Sequence, residues 1–176
     1  MAKSRRRREY TLTRAVERVQ KDVTSILARR QSSRYFEGIV LMYSLIENVV
    51  KWLVFLKIVW NKSDRVLSVP ERESLKQFCN RQDFNGALNL ALVTGLFTHR
   101  LFRQIDRIRG ERNDLLHQFY LFTHRRNSRV LRAKLARLVR LAVKMFRVLN
   151  ALVADTGVAD TYPAYFTVRR RKELLI

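Results

Sequence analysis

The scarcity of chain-breaking residues is the feature that most constrains the fold of this chain. Only five glycines and two prolines occur among its 176 residues. A β-sandwich or β-barrel needs turn residues about every 8–12 positions, and this chain cannot supply them. Because 47% of the residues are hydrophobic, the chain can still close a core. We therefore predict an all-α protein that folds as a single-domain bundle of about five to six helices.

A large excess of positive charge restricts the partners of such a bundle. Lysine and arginine number 36 and aspartate and glutamate 15, which gives a formal net charge of +21. A domain this basic repels itself unless a polyanion neutralises it, so nucleic acid is the expected partner and an anionic membrane surface the second choice. Arginine dominates the excess, and its planar guanidinium matches phosphate groups better than the lysine ammonium does.

The cysteine count and the hydropathy of the chain give information about its cellular location. The single cysteine, Cys79, excludes an internal disulfide and a multi-cysteine metal site. No secretory signal follows Met1, and the apolar segment 38–60 carries Glu47 and Lys51, which a membrane-spanning helix would avoid. We expect a cytoplasmic protein that needs neither a metal nor a cofactor and does not enter a membrane.

Local patterns divide the chain into a helical domain and two basic ends. Residues 1–9 are interpreted as a basic arm, residues 10–155 as the helical domain, and residues 156–176 as an irregular basic tail. Within the domain, apolar periodicity and breaks predict helices over 10–31, 34–60, 84–94, 96–122 and 127–154. Asp83 is expected to cap the helix over 84–94, and apolar residues at alternating steps of four and three form a packing seam along the helix over 127–154. A capping box at Ser68 and Glu71 starts a further short helix that ends near residue 79. The helix over 34–60 is the most apolar and is expected at the centre.

The last predicted helix carries a concentrated basic face. Residues 115–154 contain nine lysines and arginines and no acidic residue. Four of these cations fall on one side of the helix, at Arg137, Arg140, Lys144 and Arg147. A solvated face normally mixes both signs of charge, so we interpret this one as an RNA-binding surface. The alternative is a helix face that is merely solvent-exposed.

One short motif combines polar side chains that are suited to catalysis. Asn113 and His117 are four residues apart on a predicted helix and share a face with Arg109, while Arg112 stands at the edge of that face. Apolar residues such as Leu115 occupy roughly the opposite side, so the helix is expected to pack through that side and present its polar groups outward. The alternative is an ordinary solvent-facing histidine on an arginine-rich helix.

The sequence Arg112-Asn113-x-x-x-His117 resembles the signature of HEPN domains (higher eukaryotes and prokaryotes nucleotide-binding), small all-α bundles of which many are metal-independent endoribonucleases. The order of helices is similar too, with Glu47 on a central apolar helix and a long helix after the motif. The resemblance covers about residues 34–155. It implies an up-and-down helical core and a homodimer in which two motifs face one cleft.

The resemblance also implies a role for each motif residue in RNA cleavage by 2′-hydroxyl attack. His117 would act as general base or acid, Arg112 would hold the scissile phosphate and stabilise its developing charge, and Asn113 would orient the site. The residue chemistry agrees, because histidine titrates near neutral pH, a guanidinium stays charged, and RNA carries its own nucleophile. Since one histidine cannot easily be both acid and base, a two-fold dimer would supply the second.

Glu47 and Arg109 are the supporting candidates. If the polar stripe of the central helix faces the motif helix, Glu47 pairs with Arg109 or Arg112, or tunes His117. The alternative is a structural ion pair with Lys51, four residues further along the same helix.

Three functions follow as hypotheses. The leading one is a dimeric HEPN-type endoribonuclease, acting as a toxin or defence effector, whose charge an acidic antitoxin or a larger nucleoprotein assembly would neutralise. The alternative is a non-catalytic basic helical protein that binds RNA or serves as a scaffold. A peripheral membrane protein ranks third, because the apolar helix seams are committed to a core.

Overall fold

The computed structural model describes residues 12–61, 67–117 and 128–156, and within them the chain forms six α-helices and no strand. The helices are α1 (Leu12–Ala28), α2 (Tyr35–Asn61), α3 (Val69–Arg81), α4 (Phe84–Val93), α5 (His99–His117) and α6 (Ser128–Thr156). A short 3₁₀ turn, Ser32–Arg34, joins α1 to α2. The predicted all-α bundle is confirmed. The predicted basic arm and the tail beyond residue 156 lie outside the described residues.

Helix α2 forms the core of the bundle. Its side chains are mostly apolar, and Ile39, Ile46, Val50 and Leu53 are fully buried. It contacts α1, α3, α4 and α6, as a helix that is hydrophobic on most sides requires. By length and composition alone the stretch Ser32–Val59 is also long and apolar enough to cross a membrane, and most of it is buried inside the bundle.

Capping side chains start α3 and α4 at the predicted places. Ser68 and Glu71 form a reciprocal capping box, in which the Ser68 backbone N–H donates to Glu71 Oε2 at 2.9 Å and the Ser68 side chain accepts from the Glu71 N–H. Asp83 Oδ1 accepts a hydrogen bond from the Gly86 N–H at 2.6 Å and so caps α4. These two short helices therefore begin where their side chains satisfy the first backbone N–H groups.

Helix α5 begins at His99 and not at the predicted residue 96. Gly95 adopts a φ of 66°, and the Leu96 N–H donates to the Ala91 carbonyl at 3.0 Å, so that α4 ends in a Schellman motif. Thr98 Oγ1 then accepts a backbone hydrogen bond at 3.3 Å as the next helix starts. The residues between Val93 and His99 end one helix and begin the next. The periodicity of apolar residues does not reveal this boundary.

Helix α6 packs along α2 through the predicted apolar seam. Leu135, Leu138 and Met145 are fully buried in it. Gly38 of α2 allows a close approach, because a Cβ at that position would lie 2.9 Å from Leu135 Cδ2. Since the seam faces the core, the basic residues of α6 are left on its outer side.

Candidate functional site

The motif lies on the C-terminal half of α5, which packs on the bundle through one side. Ile108 and Leu115 are buried, whereas Asn113 is exposed and 29% of the Arg112 side chain is accessible. The predicted division of α5 into a packing side and a polar side therefore holds for these residues. His117 is the last residue of α5, and its side chain lies outside the described residues.

Glu47 joins the central helix to the motif helix. One carboxylate oxygen, Oε2, lies 3.0 Å from Arg112 Nη1 on α5, and the other, Oε1, lies 2.9 Å from Lys51 Nζ on α2. The Glu47 side chain is only 16% exposed. The ion pairs with Arg112 and with Lys51 are therefore both formed, because a carboxylate has an oxygen for each partner.

Arg109 lies outside this pair. Its Nε donates to Asp106 Oδ1 at 2.8 Å, one turn earlier on the same helix. The structure thus brings Glu47 to Arg112 and leaves Arg109 in a contact within α5. Of the two pairings that the sequence allows between Glu47 and the motif helix, the one with Arg112 is formed.

A second carboxylate, Glu111, gathers cations from two helices. It pairs with Arg137 of α6, and at 3.4 Å with both Lys134 of α6 and Arg107 of α5. Sequence reasoning missed this residue, although the spacing of Arg107 and Glu111 is that of a helical i to i+4 pair. The contacts to α6 have no such signal, because they depend on how α6 is rotated against α5.

Tyr43 of α2 lies beside this cluster. Lys134 Nζ stands 5.9 Å from the centre of the Tyr43 ring, within the range of a cation–π contact. The Tyr43 hydroxyl is buried and has no hydrogen-bond partner among the described residues. Burial, reinforced by the negative charge of Glu111, raises the pKa of Tyr43 well above its usual value, so the phenol stays neutral.

The four predicted RNA-binding residues of α6 divide into two environments. Arg137 is engaged with Glu111, as described above. Arg140, Lys144 and Arg147 are exposed, and Lys144 Nζ donates to Gln104 Oε1 of α5 at 3.2 Å. These three residues therefore lie on the outer surface, and Lys144 also contacts α5.

Between α5 and α6 runs a groove of about 330 Å³. Its lining combines two apolar residues with polar and cationic ones: Ile108, Leu141, Gln104, Arg107, Arg140 and Lys144. A second depression of about 460 Å³ shares Gln104 and adds Arg100 and Arg103 of α5. The α5 side of this surface was missed by sequence reasoning, although the three arginines recur at steps of three and four residues on one helix face.

Among the described residues there is neither a metal site nor an ionised thiol. Within ranges 12–61, 67–117 and 128–156, no group of three or more histidine, cysteine, aspartate and glutamate side chains is placed to hold a metal ion. Cys79 is buried on α3, and burial raises the pKa of its thiol to about 11. The thiol is therefore protonated at neutral pH.

No family model matches this chain, and comparison with curated proteins and with solved structures finds no match either. Function is therefore inferred from the residues and contacts described above.

Proposed function

We propose that this protein is a homodimeric, metal-independent endoribonuclease that cleaves RNA at the Arg112-Asn113-x-x-x-His117 motif. The observation that carries the proposal is the ion pair of 3.0 Å between Glu47 Oε2 and Arg112 Nη1. It holds a partly exposed guanidinium in one orientation next to the exposed Asn113. A guanidinium has five N–H donors, so those not directed at Glu47 remain for a phosphate.

Each motif group has a defined part in a cleavage that uses the nucleophile of RNA itself. The 2′-hydroxyl attacks the adjacent phosphorus, the bond to the 5′-oxygen of the next nucleotide breaks, and a cyclic phosphate and a 5′-hydroxyl result. His117 takes the proton of the 2′-hydroxyl or gives one to the leaving oxygen. Arg112 stabilises the charge that develops on the phosphate, and Asn113 orients the site. A second copy of the chain supplies the other histidine.

The charge of the protein suggests how the activity is used. A formal net charge of +21 favours an acidic partner in the resting state. We assign the protein to the toxin or defence-effector class in the cytoplasm, with an acidic antitoxin or a larger nucleoprotein assembly as the neutralising partner. RNA is preferred to a membrane as the target, because the apolar seams of α2 and α6 are used within the bundle.

Cleavage of a single-stranded RNA in excess EDTA tests the proposal. Wild type should cleave, while His117→Ala and Arg112→Ala should each lose about 100-fold or more in rate. His124→Ala, which alters a histidine outside the motif, should cleave at the wild-type rate. A DNA strand of the same sequence should survive, because it lacks the 2′-hydroxyl. Equal cleavage by wild type and His117→Ala, or cleavage by neither, contradicts the proposal.

The second candidate function is RNA binding or scaffolding without catalysis. The groove between α5 and α6 favours it, because Arg107, Arg140 and Lys144 gather there independently of the motif. In that case RNA affinity should fall by about 0.7–0.9 log units per log unit of salt for each phosphate contact. His117→Ala would then change neither the affinity nor the integrity of the RNA, and substitutions in the groove would weaken binding.

A further inference from the structure

We infer that the groove between α5 and α6 binds the phosphodiester backbone of an RNA strand at a site separate from the motif. The new element is the α5 side of this surface, where Gln104 and Arg107 line the groove and Arg100 and Arg103 line the neighbouring depression that shares Gln104. The inference rests on RNA being the ligand, as in the proposed function, and it names the path that the RNA takes.

Each of the two helices presents a row of cations along this surface. On α5 the arginines recur at 100, 103 and 107, and on α6 the facing cations are Arg140 and Lys144. The helices run antiparallel, since Lys144 contacts Gln104 whereas Lys134 contacts Glu111. Seven residues of helix extend about 10 Å. The row of cations on α5 is therefore longer than a single phosphate ion and can contact consecutive phosphates of one strand.

Most of these cations have no carboxylate to satisfy them. Arg100, Arg103 and Arg140 form no ion pair with any carboxylate in the described part of the chain. Arg107 does pair with Glu111, but its side chain is 76% exposed, so that pair is weak and easily exchanged for a phosphate. Arg137, which also lines the groove, is held by Glu111. The groove is thus a strongly positive surface, and Glu111 is the carboxylate that pairs with its lining cations in the described part of the chain.

The floor of the groove favours a nucleic acid strand over an acidic protein segment. Ile108 and Leu141 line it between the two rows of cations and show only their edges to solvent, since they are 3% and 5% exposed. These edges and the aliphatic stems of the arginines offer a narrow apolar strip to a ribose, whereas the arginine forks suit the phosphates. A peptide rich in aspartate and glutamate matches only the charge.

The position of the groove also relates it to the motif. Arg107 and Arg112 are five residues apart on α5, a rise of about 7.5 Å, and His117 lies about 7.5 Å further on. Five residues also turn the helix by about 140°, so a strand bound in the groove has to pass over α5 to reach the motif. The groove would hold nucleotides at a distance from the one that is cleaved, and so contribute to affinity without taking part in the chemistry.

Binding of an RNA that cannot be cleaved tests this inference separately from catalysis. The probe is a fluorescent single-stranded RNA with 2′-O-methyl groups at every nucleotide, titrated at several salt concentrations. The groove variant is Arg103→Gln/Arg140→Gln/Lys144→Gln. The matched control, Lys21→Gln/Arg29→Gln/Arg81→Gln, removes the same charge from three exposed positions on α1 and α3 and the turn after α1.

For three lost contacts to a single strand, the salt slope should fall by about 2, and Kd at about 0.1 M salt should rise about 100-fold. The control should change Kd by less than about 3-fold. The single variants Arg103→Gln and Arg140→Gln, which keep most of the surface intact, should each raise Kd about 5-fold. Circular dichroism checks that each variant is folded. If the triple variant is unfolded, the Kd values of the two single variants test the inference instead.

Three results would overturn the inference. One is an equal rise in Kd for the groove variant and the control, which would mean that only net charge matters. Another is wild-type affinity in the groove variants. The third is groove-dependent binding to phosphatidylserine vesicles or polyglutamate without binding to RNA. This test is separate from the test of the proposed activity. If RNA cleavage depends on His117 but the groove variants bind RNA like wild type, only the inference about the groove is contradicted. If the groove variants bind RNA more weakly but wild type does not cleave it, only the proposed catalysis is contradicted.

Discussion

Glu47 Oε2 lies 3.0 Å from Arg112 Nη1, across the contact between α2 and α5. The same carboxylate holds Lys51 at 2.9 Å within α2. All three side chains are largely shielded from water, so salt screens these pairs less than it screens a surface pair. A residue of the most apolar helix thereby orients the arginine of the motif helix, and the stability of the bundle and the geometry of the motif become coupled at Glu47.

Replacing Glu47 with glutamine should lower the free energy of unfolding by about 1–2 kcal/mol, between the values for surface and buried pairs. The amide leaves Arg112 and Lys51 without a counter-charge in a shielded setting. Urea unfolding followed by circular dichroism measures the change. Glu73→Gln is the control, because its pair with Lys76 spans 3.7 Å on a more exposed surface and should contribute less than about 0.5 kcal/mol. Equal losses in the two variants would be inconsistent with the role given to Glu47.

Arg112→Lys separates charge from geometry. Lysine keeps the positive charge near Glu47 but has no planar fork for a phosphate, so RNA cleavage should fall about 100-fold while the free energy of unfolding changes by less than about 1 kcal/mol. Single-turnover cleavage at saturating RNA, together with urea unfolding, measures both effects. Arg81→Lys, on the exposed end of α3, should alter neither. Full activity in Arg112→Lys would show that the fork is not used.

Two helical glycines should respond to alanine with opposite signs. At Gly38 the new Cβ would lie 2.9 Å from the buried Leu135 side chain, so Gly38→Ala should destabilise the protein by about 1–2 kcal/mol despite the better helix propensity. At Gly110 the described residues place no atom within 4 Å of the new Cβ apart from the neighbouring residues and backbone of α5 itself, and α5 runs through this residue without a break. Gly110→Ala should therefore stabilise by about 0.5–1 kcal/mol. Urea midpoints that move in the same direction would argue against the close packing of α2 on α6.

The buried thiol of Cys79 should make stability fall at alkaline pH. Burial raises the pKa of Cys79 from 9.0 to about 11, so the folded protein holds this proton more tightly than the unfolded chain does. The contribution is complete below the unfolded pKa and is lost as the pH rises through the folded one. Between about pH 8 and pH 10.5, wild type should lose about 2 kcal/mol more of its unfolding free energy than Cys79→Ala. Parallel pH curves for the two proteins would refute this.

The helices follow closely from the sequence. The apolar seam of α6, the burial of α2, and the caps at Ser68 and Asp83 were all predicted and are confirmed. Each depends on residues within a few turns of one another, which is the range over which periodicity and capping operate. The start of α5 was predicted three residues early because Leu96 and Phe97, between the Schellman turn at Gly95 and the cap at Thr98, look apolar and helical.

The candidate site was only partly predictable. The outward position of Asn113 follows from the spacing of α5, but the choice of Arg112 over Arg109 as the partner of Glu47 does not. The cluster around Glu111 and the α5 wall of the groove were missed, because their members come from helices that are distant in sequence. The spacing of Arg100, Arg103 and Arg107 was a usable signal for the groove once α5 was assigned as a helix.

By itself, the sequence determined that this chain forms helices, which side of each helix is buried, and that the surface carries a large positive charge. These properties are local, since they depend on residue type and on the repeat of 3.6 residues per turn. Only the tertiary structure decided that Glu47 meets Arg112, that Glu111 binds cations of two helices, and that α5 and α6 enclose a basic groove. These contacts depend on the rotation and direction of whole helices, which the packing of the core around α2 sets.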